Sequence, residues 1–279
     1  MNDETWQQTH LLALIRRLSQ LKSKPDGMLH EETSGPHQIR IIKHVGQIHF
    51  YFVDPASGAL DGPMSRIELD RPLRLLAEYT QAAMLTLLWR PEPARVCLLG
   101  LAGGRLALLF YHAFPHVTID NVDVEPSAGA IAAAYFGLTF DRRQRIAVRD
   151  ARAYLRELGA EVAYDILIMD AFSDASDNLD HLATTQFYQE CRARLARGGV
   201  ICVNILKSDQ LFFEKVKTFL ASFPHVVVSE HKRSLVLFGS DQKRPPAAEI
   251  AQKAAMLQHR HGFEFAFVER AAALKTYRE

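Results

Sequence analysis

The chain has 279 residues, 48% of them apolar, with 33 Lys and Arg against 32 Asp and Glu. That suffices for one large α/β domain with small additions, and the balanced charge excludes a global field selecting nucleic acid or an anionic membrane. Cys97, Cys191 and Cys202 sit in or beside apolar segments without metal-ligand spacing, so they read as reduced core residues rather than disulfides or a zinc site.

Residues 5–23 place Leu11, Leu12, Leu14, Ile15, Leu18 and Leu21 at helical spacing among Arg16, Arg17 and Lys22. This predicts an amphipathic helix within an N-terminal segment 1–24, packed on the protein or on a second subunit. The first residues lack the basic start and apolar core of a secretory signal, which sets a cytoplasmic expectation. From Gln38 to Asp54 β-branched, aromatic and polar residues alternate around a turn at Val45-Gly46-Gln47, predicting a hairpin in a small β-domain over 37–70. Asp54-Pro-Ala-Ser-Gly58 and Asp61-Gly-Pro63 read as turns. Residues 73–89 read as a helix that opens a larger domain over 73–240.

Beyond Pro93, strand candidates at 95–99, 117–122, 145–148, 165–169 and 200–204 alternate with helical segments near 106–114, 126–136, 151–158 and 185–195. Such alternation builds βαβ units, hence a mostly parallel sheet with helices on both faces, an α/β Rossmann-like architecture. A hairpin at 226–229 and 234–238 closes the sheet. Residues 245–279 form a C-terminal extension with one helix over 247–260.

The apolar run from Val96 to Phe114 is broken at one point by Gly100, Gly103, Gly104 and Arg105. A membrane span does not need that cluster. A strand, tight turn and helix does, and the turn would let a ligand approach the free N–H groups of the new helix. Ligands of open α/β sheets bind beyond the carboxyl ends of the strands. There the sequence offers the glycine loop, Asp123, Asp150 and Asp170 on four successive strands. Taken singly, Asp150 reads as a helix N-cap, and Asp123 fits a cap or a ligand role. Together they describe a nucleoside site, with Asp123 at ribose distance, about 20 residues past the glycines. Gly-x-x-Gly-Gly is not the dinucleotide order, so a single adenosine with an amino-acid-like tail fits better: S-adenosylmethionine or its decarboxylated form.

Several segments resemble the polyamine aminopropyltransferase family, the spermidine and spermine synthases. They are Val96 to Gly104, Val122-Asp-Val-Glu-Pro126, Asp150-Ala-Arg-Ala-Tyr154, residues 164–172 ending in Asp170-Ala-Phe172, His181-Leu-Ala-Thr-Thr-Gln-Phe-Tyr188, and Leu195-Ala-Arg-Gly-Gly-Val200. Weaker similarity reaches His37-Gln38 and Tyr79-Thr-Gln81, so the resemblance spans roughly 38–239. It implies a class I methyltransferase-like fold under an N-terminal β-domain, a homodimer, a small-molecule amine substrate, no nucleic acid or membrane partner and no metal. The implied reaction transfers an aminopropyl group from decarboxylated S-adenosylmethionine, releasing methylthioadenosine.

Carried over by position, Gly100, Gly103 and Gly104 would shape the nucleoside loop, Asp123 would hold the ribose and Asp150 the adenine amino group. Gln38 would approach the donor from the N-terminal domain. Asp170 would be the general base, with Asp174, Tyr79 and Gln81 on the acceptor side. The chain departs from the family pattern at three points. Gly103 stands where family members that make spermidine carry an aspartate for the donor's terminal amine. Asp170 and Asp174 are one residue further apart than in Asp-x-x-Asp, and Gln81 replaces an acid.

Two alternatives follow: a methyltransferase using S-adenosylmethionine on a small amine, and a nucleoside-binding protein without catalysis. Arg105 reads either as a surface residue at a helix start or as a partner for a carboxylate, which ordinary S-adenosylmethionine has and the decarboxylated donor lacks. Asp174, Asp177 and Asp180 read as a solvated loop or as negative charge for a polyamine. His181 sits in a family-like motif, whereas His259 and His261 read as a solvated helix end.

Overall fold

The computed structural model describes residues 3–34, 37–53, 58–60, 62–170 and 179–277. Asp174, Asp177 and the expected turn residues at 54–57 and 61 lie outside them, as does the side chain of Asp180.

Helix α1 (Asp3–Ser23) buries Leu14, Leu18 and Leu21 and leaves Leu12 and Ile15 exposed on its outer side. It packs on two helices of the main domain, α3 (Arg105–Ala113) and α4 (Ala128–Phe136). Gly137, in the left-handed conformation at φ 75°, ends α4 with its backbone under Leu14 and Leu18, and its carbonyl accepts from Arg17 Nη2 at 3.0 Å. Only a glycine satisfies both that φ and that close approach.

The expected hairpin is β2 (His37–His44) and β3 (Gln47–Val53), joined through Val45 and Gly46, both at positive φ. It gains a strand on each side, β1 (Gly27–Ser34) and β4 (Ser65–Glu68), giving an antiparallel sheet in the order β1-β2-β3-β4. Ile39, Ile41, Ile48, Phe50 and Ile67 point into the core that α1 also enters.

Residues 73–89 do not form one helix. A short α2 (Glu78–Ala83) runs directly into a 3-10 turn, Met84–Leu88, while 73–77 stay irregular. The carbonyls of Pro72 and Arg74 accept from the Arg105 guanidinium, which competes with their use in a helix.

The second sheet has eight strands in the order β12-β10-β11-β9-β8-β5-β6-β7. Its parallel part comprises β5 (Arg95–Leu99), β6 (Thr118–Asp123), β7 (Gln144–Val148), β8 (Tyr164–Met169) and β9 (Leu195–Leu206). Helices α3, α4, α5 (Ala151–Glu157) and α6 (Thr185–Ala193) connect them, and α7 (Phe212–Ser222) leads on to β10. Every residue of β8 is buried, as a strand covered on both faces must be. The closing hairpin is β10 (His225–Glu230) and β11 (Ser234–Ser240), with a short β12 (Lys275–Thr276) on the far edge. The C-terminal extension carries α8 (Ala247–His261) and a second helix, α9 (Phe267–Ala272), absent from the sequence expectation. The three cysteines are free and buried.

The chain winds outward from β5 to β7, then returns to lay β8 on the other side of β5. That reversal is a switch point, where an open α/β sheet leaves a crevice beyond the strand ends. The apolar run from Val96 to Phe114 is β5, the glycine turn and α3. Among the described residues no helix is long and apolar enough to cross a membrane.

Candidate active site

β5 ends at Leu99, and the chain then turns through Gly100 (φ 96°), Ala102 (φ 45°) and Gly104 (φ 61°) before α3 begins. Asp123, at the end of the neighbouring β6, stabilises this turn. Its Oδ2 accepts from the N–H groups of Leu101 at 2.7 Å and Ala102 at 3.3 Å, and its Oδ1 accepts from Glu125 N–H at 2.9 Å. Burial raises its pKa and these backbone bonds oppose the rise. Three accepted bonds leave a carboxylate with unused lone-pair directions for a ligand hydroxyl.

Gly103 lacks room for a side chain. A Cβ there would lie 2.7 Å from both Cβ and Oγ of Ser65 and 2.8 Å from Cδ1 of Phe136. The aspartate that the resemblance places here is therefore excluded by the packing of β4 and α4 against the loop.

Asp170 follows β8 directly. Its N–H donates to Leu99 O at 2.9 Å, fixing it beside the end of β5, and the residue is half-buried. Burial pushes its pKa up to about 7, against the opposing bonds from the Asn204 amide, 3.2 Å from Oδ1, and the Tyr79 hydroxyl. Burial and the adjacent carboxylate in turn raise the Tyr79 pKa, so the phenol stays a donor.

Asp170, Tyr79, Gly100, Gly104 and Arg105 line one cavity, roofed by Met64 and Ser65 from the N-terminal sheet. Five residues singled out in the sequence thus converge. Arg105 is not a surface residue: it is 6% exposed, and burial lowers its pKa to about 9.

Other candidates stand elsewhere. Asp150 caps α5, accepting from Ala153 N–H at 2.8 Å, and pairs with His181 Nε2 at 2.9 Å. Burial works against its charge, but the Ala153 and His181 bonds prevail and hold its pKa below the usual value. The Gln81 amide donates to Leu75 O at 2.7 Å and is not among the residues lining the cavity. Gln38 Oε1 accepts from Arg40 Nη2 at 3.1 Å in the N-terminal sheet. His261 is not on a solvated end, since its ring packs on Phe114 at 4.7 Å. Sequence reasoning missed Asn204, although it lies near the end of a fifth strand, the rule that found the acids. It also missed Ser65, which lines the cavity without any motif, and gave no role to Thr80, which lines it from within the Tyr79-Thr-Gln81 segment.

No family model matches the chain. It is 28% identical over 151 residues to a polyamine aminopropyltransferase of Vibrio vulnificus, covering 54% of this chain and half of that protein's length. A polyamine aminopropyltransferase of Chromobacterium violaceum is 27% identical over 213 residues, 74% of this chain and 80% of that protein. The chain is similar to the polyamine aminopropyltransferases. A mouse eEF1A lysine and N-terminal methyltransferase is also 28% identical, over 55% of this chain and 24% of its own length. All three relatives are transferases by name, in line with the transferase expectation. A probable spermidine synthase from Corynebacterium glutamicum superposes with TM-score 0.68 at 19% identity, covering 91% of each chain. A spermidine synthase in complex with the transition-state analogue AdoDATO gives 0.64 at 18% identity over 88% of each chain. Human methyltransferase-like protein 13 in complex with SAH gives 0.61 at 22% identity, over 68% of this chain and 95% of that one. The aminopropyltransferase-like chain therefore has a class I methyltransferase-like fold with a small antiparallel N-terminal sheet.

Proposed function

We propose that the protein is an aminopropyltransferase, moving an aminopropyl group from decarboxylated S-adenosylmethionine to the nitrogen of a diamine or polyamine. The observation that carries this reading is Asp170, a half-buried carboxyl with a pKa raised to about 7, lining a cavity shared with the glycine loop. An alkylammonium has no lone pair, so the site must remove a proton and aim the nitrogen at the carbon beside the sulfonium. Asp170 accepts that proton as the N–C bond forms. The C–S bond breaks with its electron pair left on sulfur, and methylthioadenosine departs. Tyr79 and Asn204 hold the carboxylate in place. Asp123, already fixed to the glycine loop, offers its remaining lone pairs to the ribose, and Asp150, paired with His181, takes the adenine role that the resemblance gives it.

A second reading, methyl transfer from S-adenosylmethionine to an amine, is favoured by the mouse relative and by the closure of Gly103 to an acid. The test is mass spectrometry of the nucleoside formed with each donor and a panel of diamines and polyamines. Methylthioadenosine formed only from the decarboxylated donor in the presence of an amine supports aminopropyl transfer. S-adenosylhomocysteine supports the second reading, and no turnover with nucleoside still bound refutes both.

A further inference from the structure

Arg105 places a buried charge where the aminopropyl chemistry does not use one. A guanidinium carries five N–H donors and stays protonated. Here Nη2 donates to the carbonyls of Pro72 and Arg74, the latter at 3.2 Å. Nε and Nη1 are buried and meet no acceptor among the described residues. Nor does a described Asp or Glu lie within ion-pair distance. Asp170, the one acid among the residues lining the same cavity, is engaged by Asn204 and Tyr79 instead. A buried charge without a counter-charge is unfavourable, and buried donors are ordinarily satisfied.

The opposite polarity is closed off nearby. An acid for a ligand ammonium cannot stand at Gly103, because Ser65 and Phe136 occupy the space its Cβ needs. The loop thus withholds an anion and supplies a cation with three unspent N–H donors, a set that suits a carboxylate.

We propose that Arg105 receives a carboxylate of the bound ligand, so that one substrate of this site carries an intact α-amino-acid carboxylate. The inference rests on reading the cavity as the nucleoside and amine site. The carboxylate has two chemical sources: a methionine tail on the donor nucleoside that has not been decarboxylated, or an amino-acid acceptor whose side-chain amine faces Asp170.

The test uses ligand pairs that differ only by that group, measured by calorimetry on the full chain. S-adenosylhomocysteine is compared with its decarboxylated counterpart, and ornithine with putrescine in the presence of methylthioadenosine. The carboxylated member of one pair is expected to bind tenfold to about a hundredfold more tightly. Arg105→Met should bring that ratio close to one, and Arg105→Lys should keep part of it. The pair that discriminates names the source. Ratios near one in both pairs with nucleoside binding intact overturn the inference alone, as does a ratio that Arg105→Met leaves unchanged. The wild-type ratios decide even where a variant does not fold. Failure of all three nucleosides to bind overturns the reading of the cavity and the inference with it.

Discussion

A carboxyl group held as a proton acceptor inside a protein has to be expensive to ionise and still ionisable near neutral pH, and Asp170 meets both conditions. Its pKa of about 7 in the folded chain against an ordinary 3.8 means the folded state holds its proton more tightly than the unfolded state does. Stability therefore falls as pH rises from about 4 to about 7, and Asp170→Asn should remove that decline, read by urea unfolding at pH 5 and pH 8. The same titration switches the base on. The wild-type kcat/KM should climb through an apparent pKa near 7, and Asp170→Asn should cut turnover roughly 10²-fold or more while leaving nucleoside affinity nearly unchanged. Equal losses in affinity and turnover would make Asp170 a structural residue. Gly103 gives a steric counterpart. Gly103→Ala forces Ser65 and Phe136 apart and should cost about 1–3 kcal/mol in chemical denaturation, with weaker nucleoside binding. Unchanged stability would show that the loop has room the packing does not suggest.

Helix α1 is held by an aromatic and histidine clasp. His10 Nδ1 lies 3.0 Å from His112 Nδ1 on α3, Trp6 stacks on His10, and Arg143 sits over the rings of Trp6 and Tyr111. Burial lowers His10 to about 3, aided by His112, Arg17 and Arg143. It also lowers His112 to about 4, and His261 on α8 to about 4 against the opposing pull of Asp3. These groups are neutral when folded and protonate near 6.5 when unfolded, so stability is full above that pH and declines as pH falls toward 4. Each contributes about 1.4 kcal/mol per pH unit. His10→Phe should make the decline shallower by about that amount in urea titrations at pH 6.5, 5.5 and 4.5. An unchanged slope would mean that the clasp opens before it protonates.

The central parallel strands are legible because burial on both faces leaves the apolar runs 96–99, 166–169 and 200–203, with the strand ends shifted by a few residues. β1 is not: none of its residues is buried, so no apolar run or strong apolar alternation marks it in the sequence. The break at 73–77 is not legible either, because it depends on Arg105, some thirty residues later, taking the carbonyls of Pro72 and Arg74. The candidate site divides the same way. Glycines and acids at strand ends announce themselves, whereas the burial of Arg105 and the filling of the space beside Gly103 exist only once β4 and residues 72–74 fold over the loop.

At the scale of the whole chain, that covering makes the N-terminal elements part of the main body. One continuous apolar cluster runs from Leu14 and Leu18 of α1 through Ile39, Ile41 and Phe50 of the small sheet to Phe110, Phe136, Phe238 and Leu257. Helix α1 and the small sheet have no other core, whereas the main domain adds a second cluster around Leu99, Leu167, Tyr188 and Phe219. Opening the shared cluster strips one face of the main sheet, so the two parts should unfold together. The chain carries two tryptophans that report on opposite ends of the cluster. Trp6 lies in α1 against Tyr111, and Trp89 stacks on Phe238 of β11 at 5.7 Å. In single-tryptophan variants, Trp6→Phe and Trp89→Phe, the remaining fluorophore should follow the same urea curve as the far-ultraviolet circular dichroism of that variant. S-adenosylhomocysteine at a hundred times its dissociation constant should stabilise both reporters alike, by about 2.7 kcal/mol, because a ligand gripped between the two sheets binds only when both are folded. A Trp6 transition at lower urea than the Trp89 transition would separate α1 from the common core. Ligand stabilisation seen at Trp89 alone would show that the small sheet roofs the cavity without contributing to binding.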